Sequence, residues 1–256
     1  MSRIEKHPSG SPCWFDLMTQ GGDAARAFYA SLFGWEITPG DPEMGNYSMA
    51  LLDGEPVAGI GEPPGDAASP AVWSVYFATE DIERSCSLVK ENGGQVLVPP
   101  MVIPDAGTMA VCADASGAVF GLWQMAGHAG SAWTGKPGTM AWCEVNARDA
   151  DDAKSFYEAV LGLRGERMDM PMTTYYTLSD SEPRAGILQM TAEWGDMPPH
   201  WMIYFAVADA DAAAKQVEAL GGRVAHGPFD SPYGRIVVVA DGQGATFSLV
   251  EVTESR

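Results

Sequence analysis

The chain has 256 residues, of which 46% are hydrophobic and 19% are charged, and its formal net charge at pH 7 is −19. This composition excludes an intrinsically disordered chain and allows one large domain or two of ordinary size. The strong negative charge disfavours nucleic acids and anionic membrane surfaces as partners.

The sequence also lacks targeting and membrane signals. No segment approaches the ~20 consecutive apolar residues that cross a bilayer. The first seven residues carry Arg3 and Lys6, but no apolar run follows them, so we predict no secretory signal and a cytoplasmic protein. The four cysteines show no CxxC spacing, and we expect them to be buried free thiols.

The predicted elements of the first half form a cycle that occurs twice. CWFDLMT (13–19) alternates large and polar residues and predicts a strand, and a helix follows from Asp23 to Gly34. Short strands are predicted at 47–52 and 57–60. After a loop rich in Pro and Gly the cycle restarts. A strand is predicted at AVWSVYFAT (71–79), a helix at DIERSCSLVKENGG (81–94), and three further strands near Gln95, Met109 and Val119.

The second half repeats the first. WFDLMTQGGDAARAFYASLFGW (14–35) returns as WCEVNARDADDAKSFYEAVLGL (142–163), which is 128 positions later. Near the end of each copy, GTMAVCADASGAVFGLWQM (107–125) returns as GRIVVVADGQGATFSLVEV (234–252). A repeat of this length indicates a duplicated domain, because about 120 residues can bury a core without help.

We therefore predict an α+β fold made of tandem βαβββ modules, two in each domain. The first domain is expected at residues 8–126 and the second at 138–254. The segment between them, 127–137, is rich in Gly and small residues and is predicted to be a linker.

The order of the motifs AFYASLFGW, YFAVADADA and DASGAVF resembles that of the vicinal oxygen chelate superfamily. This superfamily includes glyoxalase I, extradiol dioxygenases and bleomycin-resistance proteins. The tandem form is similar to the two-domain, glyoxalase-like proteins of actinobacteria, which are often labelled hydroxylases. The resemblance implies that each pair of modules curls an eight-stranded sheet into a cup whose floor binds a ligand.

The same resemblance implies where a metal would be bound in related enzymes: at the head of the first strand of a domain, on the fourth strand, at the start of the fifth and on the eighth. The first position falls on a tryptophan in both copies, whose indole has no lone pair for a metal. The remaining positions that can be aligned are also poor donors, and no metal or other cofactor is expected. The aligned residues are Trp14, Ser74 and Gly121 in the first copy and Trp142, Met202 and Ser248 in the second, with Trp73 and Trp201 if the fifth strand is shifted by one. His200 lies just before the expected ligand and is interpreted as a loop residue.

Strand alternation predicts the lining of the two cups. Aromatic rings, Met and a few polar groups suit a flat and partly apolar ligand. The predicted ligand-binding residues are Trp14, Tyr47, Met49, Ser74, Tyr76, Trp123, Trp142, Tyr175, Met202, Tyr204 and Ser248. Asp16 and Glu144 are candidate catalytic residues, since a buried carboxylate can act as a general base or pair with an amine. Two alternatives remain open: the two acids only accept hydrogen bonds, or the side chains of one cup fill it.

Three functions are compatible with these residues. The first is a binding protein that holds a small aromatic or polycyclic molecule without a metal. The second is a metal-independent enzyme of natural-product tailoring, such as an isomerase, lyase or hydroxylase, in which Asp16 or Glu144 transfers a proton. The third is a metal-dependent lyase or dioxygenase. Four modules supply the pairing that shorter relatives obtain by dimerising, so we expect a monomer or a weak homodimer.

Overall fold

We describe the protein from a computed structural model, which describes residues 3–63, 70–170 and 173–252. Each half follows the order β-α-β-β-β twice, which confirms the predicted α+β fold of tandem modules. The first half contains β1 (Pro12–Met18), α1 (Gly22–Phe33), β2 (Glu36–Ile37), β3 (Ser48–Leu52), β4 (Glu55–Gly61), β5 (Val72–Ala78), α2 (Ile82–Glu91), β6 (Gln95–Ile103), β7 (Gly107–Ala113) and β8 (Val119–Met125). The second half contains β9 (Met140–Ala147), α3 (Ala150–Leu161), β10 (Arg164–Met168), β11 (Tyr175–Ser179), β12 (Pro183–Gln189), β13 (His200–Val207), α4 (Ala210–Ala219), β14 (Arg223–Ser231), β15 (Gly234–Ala240) and β16 (Thr246–Glu251).

Each half forms one eight-stranded sheet. The strand order is β2-β3-β4-β1-β5-β8-β7-β6 in the first sheet and β10-β11-β12-β9-β13-β16-β15-β14 in the second. The first strands of the two modules are antiparallel neighbours at the centre, and each is parallel to the last strand of its own module. The first strands of the two modules, β1 and β5 in the first sheet, therefore lie side by side in the middle of the sheet.

The helices begin and end where the sequence carries capping residues. Asp81, Asp149 and Asp209 cap α2, α3 and α4 by accepting hydrogen bonds from backbone N–H groups of the first turn. In α1 the position that corresponds to Asp149 is Gly21, which offers no side-chain cap, and the helix begins at Gly22. The sequence had placed its start at Asp23, one residue later. Gly34 ends the helix at a φ of 71°, a conformation that favours glycine.

The helix-bearing faces of the two sheets pack together around one hydrophobic core. Aromatic rings from both halves meet there: Phe33 lies 5.0 Å from Phe205 and Phe77 lies 5.0 Å from Trp201 between ring centroids. Each half therefore covers the core of the other. The four cysteines are buried and free, as predicted. Among the described residues no helix is both long and apolar enough to span a membrane.

A tyrosine on the first helix of each half binds an aspartate in the other half. The Tyr29 hydroxyl on α1 donates to Asp241, in the turn after β15, at 3.0 Å, and it accepts from the Trp73 indole at 2.9 Å. The Tyr157 hydroxyl on α3 donates to Asp114, after β7, at 2.9 Å. The repeated motifs FY and D..GA.F thus form reciprocal contacts between the two halves.

The segment at 127–137 is folded against both sheets. Ser131 N–H donates to the carbonyl of Cys13 on β1 at 2.7 Å, and Gly135 N–H donates to the carbonyl of Met140 on β9 at 2.7 Å. A Cβ on Gly130 would lie 2.2 Å from the Cys13 carbonyl oxygen, so only glycine allows this approach. The connection is therefore a packed segment despite its flexible composition, while the limits predicted for the two domains remain a prediction.

Candidate functional site

Each sheet has a second face, opposite the shared core, which we call its cup face. On β1, Phe15 and Leu17 belong to the core, so the alternate residues Trp14 and Asp16 lie on the cup face. The same alternation on β9 places Trp142, Glu144 and Asn146 on the cup face of the second sheet. We call the two sites the first cup and the second cup.

Strand register brings the predicted residues of the first cup together. Trp14 is paired with Tyr76, and Asp16 with Ser74, across β1 and β5. Trp14, Tyr76 and Trp123 form a buried cluster, and Met49 packs against its edge.

The second cup has the same arrangement. Trp142 is paired with Tyr204, and Glu144 with Met202, across β9 and β13. Tyr204 is also the neighbour of Ser248 on β16. The predicted residues therefore lie next to one another on each sheet, and their roles remain predictions.

Glycines that the sequence analysis did not single out make room for the cup tyrosines. Gly59 lies beside Asp16 on β4, and a Cβ there would be 1.9 Å from the Tyr47 hydroxyl oxygen. Gly186 lies beside Glu144 on β12, and a Cβ there would be 2.0 Å from the Tyr175 hydroxyl oxygen. A glycine inside a predicted strand often marks a close approach of another group. The glycines of β4 and β12 were therefore the sequence signal that could have indicated these contacts.

In the first cup, Asp16 is buried with incomplete hydrogen bonding. The Trp14 indole donates to the Tyr47 hydroxyl at 2.7 Å, and that hydroxyl donates to Asp16 Oδ2 at a long 3.4 Å. Oδ1 is buried and has no hydrogen-bond partner of normal geometry among the described residues. Burial raises the pKa of Asp16 to about 7, although the nearby hydroxyls of Tyr76 and Tyr47 act to lower it.

In the second cup, Glu144 is fully hydrogen-bonded. The Trp142 indole donates to the Tyr175 hydroxyl at 2.9 Å, and that hydroxyl donates to Glu144 Oε2 at 2.9 Å. The Tyr204 hydroxyl donates to Glu144 Oε1 at 2.7 Å. Burial raises the pKa of Glu144, and the two tyrosine hydroxyls oppose the shift.

The segment that joins the halves covers the first cup. The His128 ring meets Trp14 edge-on at 4.4 Å between centroids and Trp123 at 5.8 Å, while the Trp123 indole donates to the His128 carbonyl at 2.9 Å. Burial lowers the pKa of His128 to about 4, so the ring is neutral. Trp14 and Tyr76 are only 5% and 7% exposed. The sequence analysis missed His128 because no strand periodicity indicates where a connection will lie.

The second cup is less covered. Trp142, Tyr175 and Tyr204 are half-buried. His128 lies three residues after β8, and the residue three positions after β16 lies outside the described residues. Trp142 and Tyr204 are thus more exposed than Trp14 and Tyr76, while Tyr175 and its counterpart Tyr47 are both half-buried.

The residues at the inherited metal positions do not fit a divalent metal. Trp14 and Trp142 offer only N–H groups, and Gly59 and Gly186, which lie beside Asp16 and Glu144 on the fourth strand of each half, carry no side chain that could bind a metal. Within residues 3–63, 70–170 and 173–252, no group of three or more His, Cys, Asp or Glu side chains could hold a metal ion. His200, which was interpreted as a loop residue, is in fact the first residue of β13 and is paired with Asn146.

Comparison with known proteins defines the class. The sequence matches the family model of the Glyoxalase/Bleomycin resistance protein/Dioxygenase superfamily at residues 13–122 and 139–249. The chain belongs to this superfamily and contains its domain twice.

Two relatives match nearly the whole chain. The Mycobacterium tuberculosis (strain CDC 1551) protein named "Putative glyoxylase CFP32" is 40% identical over 98% of this chain and 98% of its own. The "Anthracycline biosynthesis protein DauV" of Streptomyces sp. (strain C5) is 37% identical over 96% of this chain and 94% of its own.

Solved structures support the fold. The Mn(II)-bound glyoxalase of Novosphingobium aromaticivorans superposes with a TM-score of 0.68 at 16% identity, covering 98% of this chain and 83% of that one. The 2,2',3-trihydroxybiphenyl 1,2-dioxygenase of Sphingomonas wittichii RW1 has a TM-score of 0.66 at 14% identity, covering 96% of this chain and 91% of that one. At these identities the likeness concerns the fold alone.

Proposed function

We propose that the protein binds a flat, polycyclic aromatic small molecule in its second cup. The observation that carries the proposal is the difference between the two cups. His128 covers the aromatic cluster of the first cup, whereas Trp142 and Tyr204 in the second are half-buried. These two rings are thus more exposed than their counterparts Trp14 and Tyr76, and a ligand is expected to reach them more readily.

The chemistry of the second cup suits such a ligand. Trp142 and Tyr204 offer ring faces for stacking, and Met202 offers a polarisable side chain that adapts to an irregular edge. The name of the Streptomyces relative refers to anthracyclines, which are fused-ring aromatic compounds. This name supports the ligand class, and the binding mode proposed here does not require a metal.

The duplication provides a matched pair of variants for the test. Trp142→Leu removes the stacking wall of the second cup, and Trp14→Leu makes the same change in the covered first cup. Titration with anthraquinone, followed by quenching of tryptophan fluorescence, should show affinity lowered roughly tenfold or more by Trp142→Leu. Trp14→Leu should leave it within about twofold of the wild type. Loss of affinity in Trp14→Leu alone would contradict the proposal.

A second candidate function is proton transfer by Glu144 in a metal-independent enzyme. It is favoured because burial raises the pKa of this carboxylate and because its two oxygens face tyrosine hydroxyls on the floor of the accessible cup. Asp16 has the raised pKa as well, but it lies beneath the covered first cup.

This candidate has a distinct test. Glu144→Gln should abolish turnover of a substrate that is still bound, while Asp16→Asn should retain turnover. Product analysis of both variants with a bound hydroxylated anthraquinone would measure this. No turnover by the wild type would leave binding as the function.

A further inference from the structure

A polar pair is present on the second cup face and has no counterpart on the first. Asn146 on β9 is paired with His200 on β13, and this pair lies two residues along the strands from the pair of Glu144 and Met202, on the same face of the sheet. The residues 128 positions earlier are Met18 and Val72, which are both apolar. The tryptophan at the head of the first strand and Tyr76 recur in the second half as Trp142 and Tyr204, whereas this polar pair belongs to the second cup alone.

The hydrogen bonds of His200 determine how the Asn146 amide is oriented. His200 Nδ1 lies 2.8 Å from the Pro198 carbonyl oxygen, which can only accept, so Nδ1 carries the proton. In the neutral ring Nε2 is then an acceptor, and it takes a hydrogen bond from Asn146 Nδ2 at 3.1 Å. The amide is therefore held with its nitrogen toward His200 and its oxygen away from it.

This orientation leaves an acceptor without a donor. Asn146 is only 1% exposed, and its Oδ1 is buried with no hydrogen-bond partner among the described residues. Buried polar groups in folded proteins almost always have a partner, which can be a ligand or an ordered water. The carboxylate of Glu144 cannot supply one, since an ionised carboxylate has no proton to donate, and its two oxygens accept from Tyr175 and Tyr204.

We infer that Asn146 is a specificity-determining residue that accepts a hydrogen bond from a hydroxyl or N–H group of the ligand, and that His200 is the positioning residue that keeps the amide oxygen available. The inference rests on the proposed binding of a polycyclic aromatic molecule in the second cup. It names the ligand class more closely: fused aromatic rings that bear a hydrogen-bond donor at one edge. A ligand whose ring edge carries only C–H groups would leave the buried Asn146 oxygen without a donor. The binding of such a ligand should therefore be weaker.

Anthraquinone and its monohydroxylated derivative form a probe pair that separates this inference from the proposed function. The wild type should bind the hydroxylated probe about tenfold more tightly than the parent. Asn146→Met introduces the residue that the first half carries at this position. This variant should bind both probes with the affinity that the wild type has for unsubstituted anthraquinone. His200→Val should reduce the preference, because the amide is then free to turn.

The outcomes are distinguishable. If the wild type binds both probes equally and Trp142→Leu weakens both, the proposed function stands and the Asn146 inference is overturned. If neither probe binds, the proposed function fails for this class of ligand. A readout without ligand then tests the positioning role of His200: with the imidazole neutral, nitrogen NMR should show a protonated Nδ1 and an unprotonated Nε2, and the Nε2 signal should shift in Asn146→Met. The opposite tautomer would overturn the inference.

Discussion

One methylene group distinguishes the two buried acids. Glu144 reaches two tyrosine hydroxyls and satisfies both of its oxygens, while the shorter Asp16 makes one long hydrogen bond and, among the described residues, has no donor of normal geometry at Oδ1. Burial raises the pKa of both groups. The same position therefore holds a well-bonded acid in the accessible cup and a poorly bonded one in the covered cup.

Asp16 should make the stability of the protein depend on pH. Because its pKa in the folded protein is about 7, the folded state keeps a proton that the unfolded state releases above about pH 4. Its contribution to the free energy of unfolding is full below about pH 4 and is lost as the pH rises to about 7. Asp16→Asn should therefore stabilise the protein more at pH 8 than at pH 4, by at most about 4 kcal/mol.

Urea denaturation of the wild type and Asp16→Asn at both pH values measures this difference, and the comparison cancels the other titrating groups. An equal effect of Asp16→Asn at the two pH values would show that the carboxylate is not buried as described.

At the scale of elements, the first helix of each half is fixed by a hydroxyl group. Tyr29 and Tyr157 each bridge an indole donor of their own half and an aspartate of the other. Tyr29→Phe would leave Trp73 and Asp241 without this partner inside the core. We expect a loss of about 1–3 kcal/mol in the free energy of unfolding, and a similar loss for Tyr157→Phe.

Guanidinium denaturation provides the measurement, and Tyr233→Phe at a 67% exposed position provides the control. If Tyr29→Phe and Tyr157→Phe lower the free energy of unfolding no more than Tyr233→Phe does, the result would contradict the reciprocal contacts.

The connecting segment is the second element with a testable role. Replacing His128 with Ala should open the first cup, because the ring covers Trp14 and part of Trp123. Fluorine NMR of protein labelled with fluorotryptophan should then show a larger solvent isotope shift for Trp14, while Trp142 is unchanged. An unaltered Trp14 signal would mean that other residues close the first cup.

At the scale of the whole molecule, the two sheets share one core. Phe33, Phe77, Trp201 and Phe205 meet between the halves, so neither half buries its aromatic residues alone. The size of each half is not enough for it to fold independently, since folding is driven mainly by the burial of apolar surface.

We therefore expect residues 1–137 and 138–256, when produced separately, to lack a native near-ultraviolet circular dichroism spectrum, and their co-expression to restore it. A separately produced half that is monomeric and shows well-dispersed NMR signals would contradict a shared core.

Sequence patterns predicted the fold because they are local and repeated. Strand alternation placed Trp14 and Asp16 on one face, and the offset of 128 residues placed Trp142 and Glu144 on the equivalent face. The parts that were missed depend on contacts between distant segments. His128 covers a strand more than a hundred residues earlier, and the orientation of Asn146 depends on His200 and a proline carbonyl.

The central claim is that the two cups, although duplicated, differ in access and that the ligand lies in the second. A crystal structure of the protein soaked with the monohydroxylated anthraquinone tests it most directly. We expect ring density against Trp142 and Tyr204, with a ring hydroxyl near Asn146 Oδ1 and with His128 still packed on Trp14. Density for the probe against Trp14 and Asp16, with His128 displaced, would contradict the account.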